Sequence, residues 1–234
     1  MREDDREMDA KQRAGVKAVE LVEDGMTLGL GTGSTAYWMV ERLGERVREG
    51  LRVRCVPTSR RTEEQARALG IPLVTFADVR ELDLAIDGAD EIGPRLALIK
   101  GGGGALLREK LVAAAARRFV VIADASKQVK VLGRFPLPVE VVPFAWEVTA
   151  HRVAKVTNTK PTLRRDERGD IYTTDNGNLI LDCHCGEIHD PARMEHELKT
   201  LVGVVECGLF VNMCDLAIVT ADEDMQLIKR DAAR

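Results

Sequence analysis

The chain has 234 residues, 45 % hydrophobic and 31 % charged, which suffices for one large domain or a medium domain with a small one, under a charged surface. Its formal net charge of −4 argues against a general nucleic-acid binder, which carries a basic patch or stripe, yet leaves room for a few lysines to hold a small anion. No apolar run approaches the roughly 18 residues of a membrane span. The charged start Met1-Arg-Glu-Asp-Asp-Arg-Glu-Met8 lacks the apolar core of a signal peptide, and five cysteines (Cys55, Cys183, Cys185, Cys207, Cys214) make no paired disulfide framework, so a reduced, cytoplasmic protein without membrane or nucleic-acid partners is expected.

In chain order, Met8, Ala14, Val16, Val19 and Val22 suggest an amphipathic helix over 8–22, interrupted at Gly15. A strand over 26–30 then runs into Gly31-Thr-Gly-Ser-Thr-Ala36 and a helix to about Val47. A strand over 51–56, a helix over 61–69 closed by Gly70, and strands over 71–76 and 82–86 follow. A helix over 105–117 and a buried strand over 119–123 complete a strand–helix alternation that predicts a parallel, doubly wound sheet.

The rhythm changes at Gly133. Pro136, Pro138 and Pro143 surround a strand over 139–142, and a helix over 148–156 follows. Leu163-Arg-Arg, Ile171 to Thr174 and a strand over 179–185 come next, with Asn176-Gly177 as a hairpin signal. Asp190-Pro191 reads as an N-cap with proline at the first helical position, opening a helix to about Leu201; a strand over 204–211 ends the unit. Strand, helix, two strands, helix, strand is ferredoxin-like. The expected fold class is α/β, a doubly wound Rossmann-like domain with a smaller ferredoxin-like α+β domain inserted near the C-terminus. The expected bounds are 1–132 plus 205–234 for the first domain and 133–204 for the second, with Leu216 to Thr220 returning to the first sheet.

Chemistry concentrates between Asp87 and Lys110. Asp-Gly-Ala-Asp-Glu (87–91) follows a buried strand, at the carboxyl end where open α/β sheets bind ligands. Lys-Gly-Gly-Gly-Gly-Ala-Leu-Leu-Arg-Glu-Lys (100–110) adds glycines that let backbone approach a ligand, and a helix carrying Glu109. Carboxylates among lysines suit proton transfer on an anionic substrate. Taken singly, Asp87 and Asp90 also read as a turn and a cap, and Glu109 and Lys110 as a solvated helix face.

Gly31-x-Gly-x-x-Ala36 loosely matches a dinucleotide fingerprint, but 53–59 carries no acid for ribose hydroxyls. Thr32, Ser34 and Thr35 at a helix start suit a phosphate monoester better. The alternative is a turn whose small residues only let strand and helix pack. Cys183-His184-Cys185 invites a zinc reading, yet strand alternation puts both cysteines on one face and His184 on the other, so cysteines as core residues are expected and no metal.

The motifs Gly-Leu-Gly-Thr-Gly-Ser-Thr-Ala (29–36), 87–91, 100–110, Ala-Asp-Ala-Ser-Lys (123–127), Phe-Pro-Leu-Pro-Val-Glu-Val (135–141), Thr-Asp-Asn-Gly-Asn (174–178) and Gly-Leu-Phe (208–210) occur in one order over nearly the whole chain. Together they resemble the type A ribose-5-phosphate isomerases. The resemblance implies interconversion of D-ribose 5-phosphate and D-ribulose 5-phosphate through an enediolate, in the non-oxidative pentose phosphate pathway, without metal or organic cofactor. It implies Glu109 as the base working between C1 and C2, Asp87 as an acid for ring opening and hydroxyl protons with Asp90 beside it, and Lys100 at the oxyanion. The phosphate site maps onto Thr32, Gly33, Ser34, Thr35, Lys127 and Lys11, with Gly88, Ala89, Gly101 and Gly102 lining the sugar. A homodimer or homotetramer is expected. Segment 157–168 matches no motif.

Overall fold

The computed structural model describes residues 3–221 and 224–230, with the side chains of 3–8 left aside. Within the expected first domain, residues 1–2, 222–223 and 231–234 lie outside the described residues. The chain forms two compact units. One comprises residues up to Ala89, Arg108–Gln128 and those from Met213 on; the other comprises Asp90–Leu107 and Val129–Asn212. Segments 90–107, 129–132 and 205–212, which the sequence alone assigns to the first domain, are in the second unit.

The first unit holds α1 (Glu3–Val19), β1 (Thr27–Leu30), α2 (Ser34–Arg48), β2 (Arg54–Pro57), α3 (Arg60–Ala68) and β3 (Leu84–Gly88). Strands β4 (Glu91–Ile92) and β5 (Leu98–Ile99) of the second unit follow. The chain then runs through α4 (Leu106–Ala114) and β6 (Phe119–Asp124). In the second unit come β7 (Leu137–Val141), α5 (Trp146–Thr157), β8 (Thr162–Leu163), β9 (Leu179–Cys183), α6 (Pro191–Lys199), β10 (Val204–Cys207) and β11 (Leu209–Phe210). β12 (Leu216–Ala221) and β13 (Asp224–Lys229) return to the first.

The main sheet has the order β13-β12-β6-β3-β1-β2, parallel except for the β12–β13 hairpin. Its parallel strands, taken in sequence, therefore read 2-1-3-4-5, the doubly wound order whose switch point lies between β1 and β3. Burial on every residue of β1 and β6 fits strands covered on both faces. Leu28, Leu30, Leu84, Ile86, Val120, Ile122 and Ile218 meet Val19, Met39, Val40 and Leu43 in one core.

In the second unit the antiparallel sheet β10-β7-β9-β8 orders its strands 4-1-3-2, with α5 between the first two and α6 between the last two. This is the ferredoxin-like connectivity expected from the sequence. A separate antiparallel sheet, β11-β5-β4, was not anticipated.

Local rules account for many boundaries. Helix α3 ends with Gly70 at φ +73°, Gly70 N–H donating to Arg67 O and Ile71 N–H to Ala66 O, a Schellman closure. Asp190 caps α6 by accepting the Arg193 N–H at 3.0 Å, with Pro191 in the first turn.

Four expectations need correction. Helix α1 runs through Gly15 without a break; a Cβ there would lie 2.7 Å from Met39 N, so the glycine permits close approach of α1 and α2. Residues 71–76 form only an isolated bridge, Cys55 to Leu73, because the Thr75 N–H and O–H donate to Asp78 Oδ2 at 2.9 and 2.8 Å and turn the chain there. The segment 171–174 likewise contributes one bridge, Ile171 to Arg165. The strand expected over 204–211 is split at Gly208, where a Cβ would lie 2.3 Å from Lys100 O.

Candidate active site

In the first unit the switch point between β1 and β3 is tied together by backbone. Gly31 N–H donates to Ile86 O at 2.9 Å, and Asp87 Oδ1 accepts the N–H of Thr32 at 2.9 Å and of Gly88 at 2.7 Å. A Cβ on Gly31 would stand 2.1 Å from Asp87 Oδ1, so only glycine lets the two strand ends approach this closely. Asp87 is buried.

Thr32 is held from the other side by a cluster of hydroxyls that sequence reasoning missed. Its Oγ1 lies 2.7 Å from Thr58 Oγ1, 2.8 Å from Ser59 Oγ and 3.0 Å from Thr62 Oγ1. Thr58 donates to Leu30 O, and Thr62 to Gly31 O, each at 3.0 Å. Ser59 also caps α3 by accepting the Thr62 N–H at 3.1 Å. The N–H and O–H of Thr32 are thus both engaged inside the protein.

Beyond Thr32 the loop opens into α2. Gly33 sits at φ +124°, and neither a side-chain cap nor an acid in the first turn meets α2, whereas α3 and α6 are both capped by side chains. An uncapped helix start with exposed Ser34 and buried Thr35 has the donors and the dipole for an anion.

On the neighbouring β6, Asp124 caps a short 3-10 turn ending in half-buried Lys127, by accepting the Ser126 N–H at 3.0 Å. Thr220, which pairs with Asp124 in the sheet, donates its hydroxyl to Ala10 O at 2.6 Å, so α1 and Lys11 border the same strand ends. Glu109 is buried in the first turn of α4.

In the second unit, Asp90 Oδ2 accepts the Gly102 N–H at 2.7 Å. Lys100 is buried; its N–H donates to Gly208 O at 2.9 Å and its Nζ lies 5.5 Å from the centre of the Phe210 ring. Gly101 is buried and Gly102 exposed, while in the first unit Gly88 and Ala89 are half-buried beyond Asp87. Glu91, in the same acidic motif, has another role: its carboxylate accepts the N–H groups of Gly133 and Phe135, both at 2.7 Å, and fixes that turn. Two further motifs meet at Glu140, whose Oε1 accepts from Thr174 Oγ1 and Asn178 Nδ2, both at 2.9 Å.

Burial pushes the thiols of Cys55, Cys183 and Cys214 up to about 12 and that of Cys185 up to about 11. Cys183 is buried and His184 exposed, as strand alternation requires. Among the described residues no three His, Cys, Asp or Glu side chains are grouped to hold a metal ion. None of the described helices is long and apolar enough to cross a membrane.

The family model for ribose 5-phosphate isomerase A (phosphoriboisomerase A) matches residues 54–224. A ribose-5-phosphate isomerase A of Bacillus cereus is 53 % identical over 220 residues, covering 94 % of this chain and 99 % of that one. The ribose 5-phosphate isomerase A structure from Methanocaldococcus jannaschii superposes with a TM-score of 0.90 at 41 % identity, covering 94 % of this chain and 98 % of that one. A D-ribose-5-phosphate isomerase structure in complex with phospho-erythronic acid gives a TM-score of 0.91 at 38 % identity, covering 95 % and 98 %. The chain belongs to the ribose 5-phosphate isomerase A family.

Proposed function

We infer that this chain interconverts D-ribose 5-phosphate and D-ribulose 5-phosphate, an aldose–ketose isomerisation of the non-oxidative pentose phosphate pathway. The observation that carries this reading is the family likeness over nearly the full length of both chains. The phospho-erythronic acid held by one relative supports it: a phosphorylated sugar acid carries, on its carboxylate, negative charge like that of an enediolate.

The residue roles follow from the chemistry. The open-chain aldose has a weakly acidic proton on C2. Glu109 takes that proton as the electron pair forms the C1–C2 double bond and O1 is protonated. The same carboxyl then returns the proton to C1 as O2–H is lost and the C2 carbonyl forms. Asp87 serves ring opening and hydroxyl proton transfer, with its position set by the Thr32 and Gly88 N–H groups. Lys100 stabilises oxygen charge, an effect worth several kcal/mol in a water-poor setting. Asp90 orders the glycine loop through Gly102 and binds the sugar.

The phosphate sits on the uncapped start of α2, at the N–H groups of Gly33, Ser34 and Thr35, with Lys127 and Lys11 supplying charge. Thr32 serves as the anchor of that loop, since its own donors are engaged. Gly88, Ala89 and Gly101 line the sugar. No cofactor enters this scheme, and the homodimer or homotetramer remains an expectation for sizing experiments.

The test is ketose formation from ribose 5-phosphate by the wild type and Glu109→Gln. Loss of a general base costs about 10²–10⁴-fold in kcat. A Glu109→Gln enzyme with wild-type turnover removes Glu109 from this role. Activity is expected to survive exhaustive chelation; loss with EDTA restored by zinc would contradict the metal-free scheme.

A further inference from the structure

Segment 157–168, which matched no motif, contains a side chain, Arg164, that grips the glycine loop from outside. Arg164 Nη1 donates to Gly101 O at 2.8 Å and to Gly102 O at 3.2 Å. Its other edge is held by Asp182 on β9, Nε to Oδ2 at 2.9 Å with a second, close contact from Nη2 to Oδ1. Both side chains are largely covered, 13 % and 21 % exposed, which separates this pair from a solvated surface bridge.

Two successive carbonyls directed at one point repel each other, and a cation between them relieves that repulsion. The loop also depends on glycine: Gly101 sits at φ +103°, and a Cβ there would meet Leu106 Cβ at 2.9 Å. Gly102 is fixed at both ends, its N–H by Asp90 and its carbonyl by Arg164. The backbone of Arg164 adds a further tie, its carbonyl accepting the Tyr172 N–H at 3.0 Å, while Tyr172 Oη lies 3.4 Å from Gly103 O.

We propose that Arg164 is a positioning residue for the isomerisation: oriented by Asp182, its guanidinium fixes the 101–102 carbonyls and thereby the backbone that presents Lys100 and Asp90. The inference rests on the isomerase reading above. Arginine is needed because its planar fork serves a carboxylate on one edge and carbonyls on another, a geometry an ammonium cannot reproduce.

The experiment measures kcat and KM for ribose 5-phosphate in Arg164→Ala, Arg164→Lys and Asp182→Asn, with melting curves and amide hydrogen exchange over 101–104. Displacement of a catalytic group by about 1 Å can cost about 10²-fold. Arg164→Ala is therefore expected to lose kcat on that order while KM moves far less, to exchange faster over 101–104, and to recover turnover when millimolar guanidinium is added. Arg164→Lys should recover only a fraction, and Asp182→Asn should fall between. Should Arg164→Ala not fold, Arg164→Lys and Asp182→Asn are read by the same kcat and exchange criteria. A folded Arg164→Ala with wild-type kcat, or a loss that follows melting alone and ignores guanidinium, overturns the proposal. A wild type that does not isomerise ribose 5-phosphate instead overturns the isomerase reading, and the exchange data still report whether the guanidinium orders the loop.

Discussion

Gly31 has no room for a side chain, and the atom that would collide is the one that organises the site. A Cβ would lie 2.1 Å from Asp87 Oδ1 and 2.4 Å from Asp87 Cα. Gly31→Ala must push β1 and β3 apart at the switch point, an overpacking that costs about 1–3 kcal/mol. The expected outcome is a lower denaturation midpoint together with a fall in kcat, because the Thr32 N–H bond to Asp87 is strained in the same movement. An alanine variant with unchanged kcat would separate Asp87 geometry from catalysis. Residue types and spacing single out Asp87, Lys100 and Glu109 as candidates, and all three are buried. The bond from Asp90 to Gly102 and the structural use of Glu91 were not legible, since identical carboxylates three and four positions along the chain differ only in which backbone N–H they meet.

Among elements, the loop proposed to hold the phosphate depends on the start of α3. Thr58, Ser59 and Thr62 enclose the Thr32 hydroxyl and return two of their own hydrogens to the carbonyls of Leu30 and Gly31. Thr62→Val keeps the shape but leaves the Gly31 carbonyl and its hydroxyl neighbours short of a partner, at a cost of about 1–3 kcal/mol. That variant should lose stability by this amount in urea unfolding and bind sugar phosphate more weakly, seen as a raised KM. A change confined to kcat would contradict an anchoring role. In sequence, a strand followed by Thr-Ser-Arg-Arg-Thr reads only as a helix start; its second use depends on β1 and β2 being neighbours in the sheet. The same limit hid β4 and β5 and merged β11 with β10. Two-residue strands have no periodicity, and their pairing is set by long-range register. Strand–helix alternation, the Gly70 closure and the Asp190-Pro191 start were readable because local chemistry alone decides them.

For the whole molecule, burial of cysteines ties stability to alkaline pH. The thiols of Cys55, Cys183 and Cys214 stand at about 12 in the folded chain, against 9.0 for an ordinary thiol. Below pH 9 both folded and unfolded chains hold these protons, so the contribution is complete. Between 9 and 12 only the unfolded chain releases them, and stability falls by up to about 1.4 kcal/mol per pH unit for each thiol. Urea midpoints should therefore decline above pH 9, and native-state alkylation at pH 8 should be slow at these positions while activity is indifferent to reductant. Rapid labelling of the native protein at Cys55 would contradict the packing described for β2.

In the proposed reaction Glu109 carries a proton between C1 and C2. That role is tested by following ribose 5-phosphate in deuterium oxide by proton NMR with the wild type and Glu109→Gln. Carbon-bound deuterium at C1 of the ketose and C2 of the aldose, appearing with isomerisation in the wild type and lost with it in Glu109→Gln, is the expected result. Ketose formed without any deuterium on carbon, at a rate unchanged by Glu109→Gln, would contradict it.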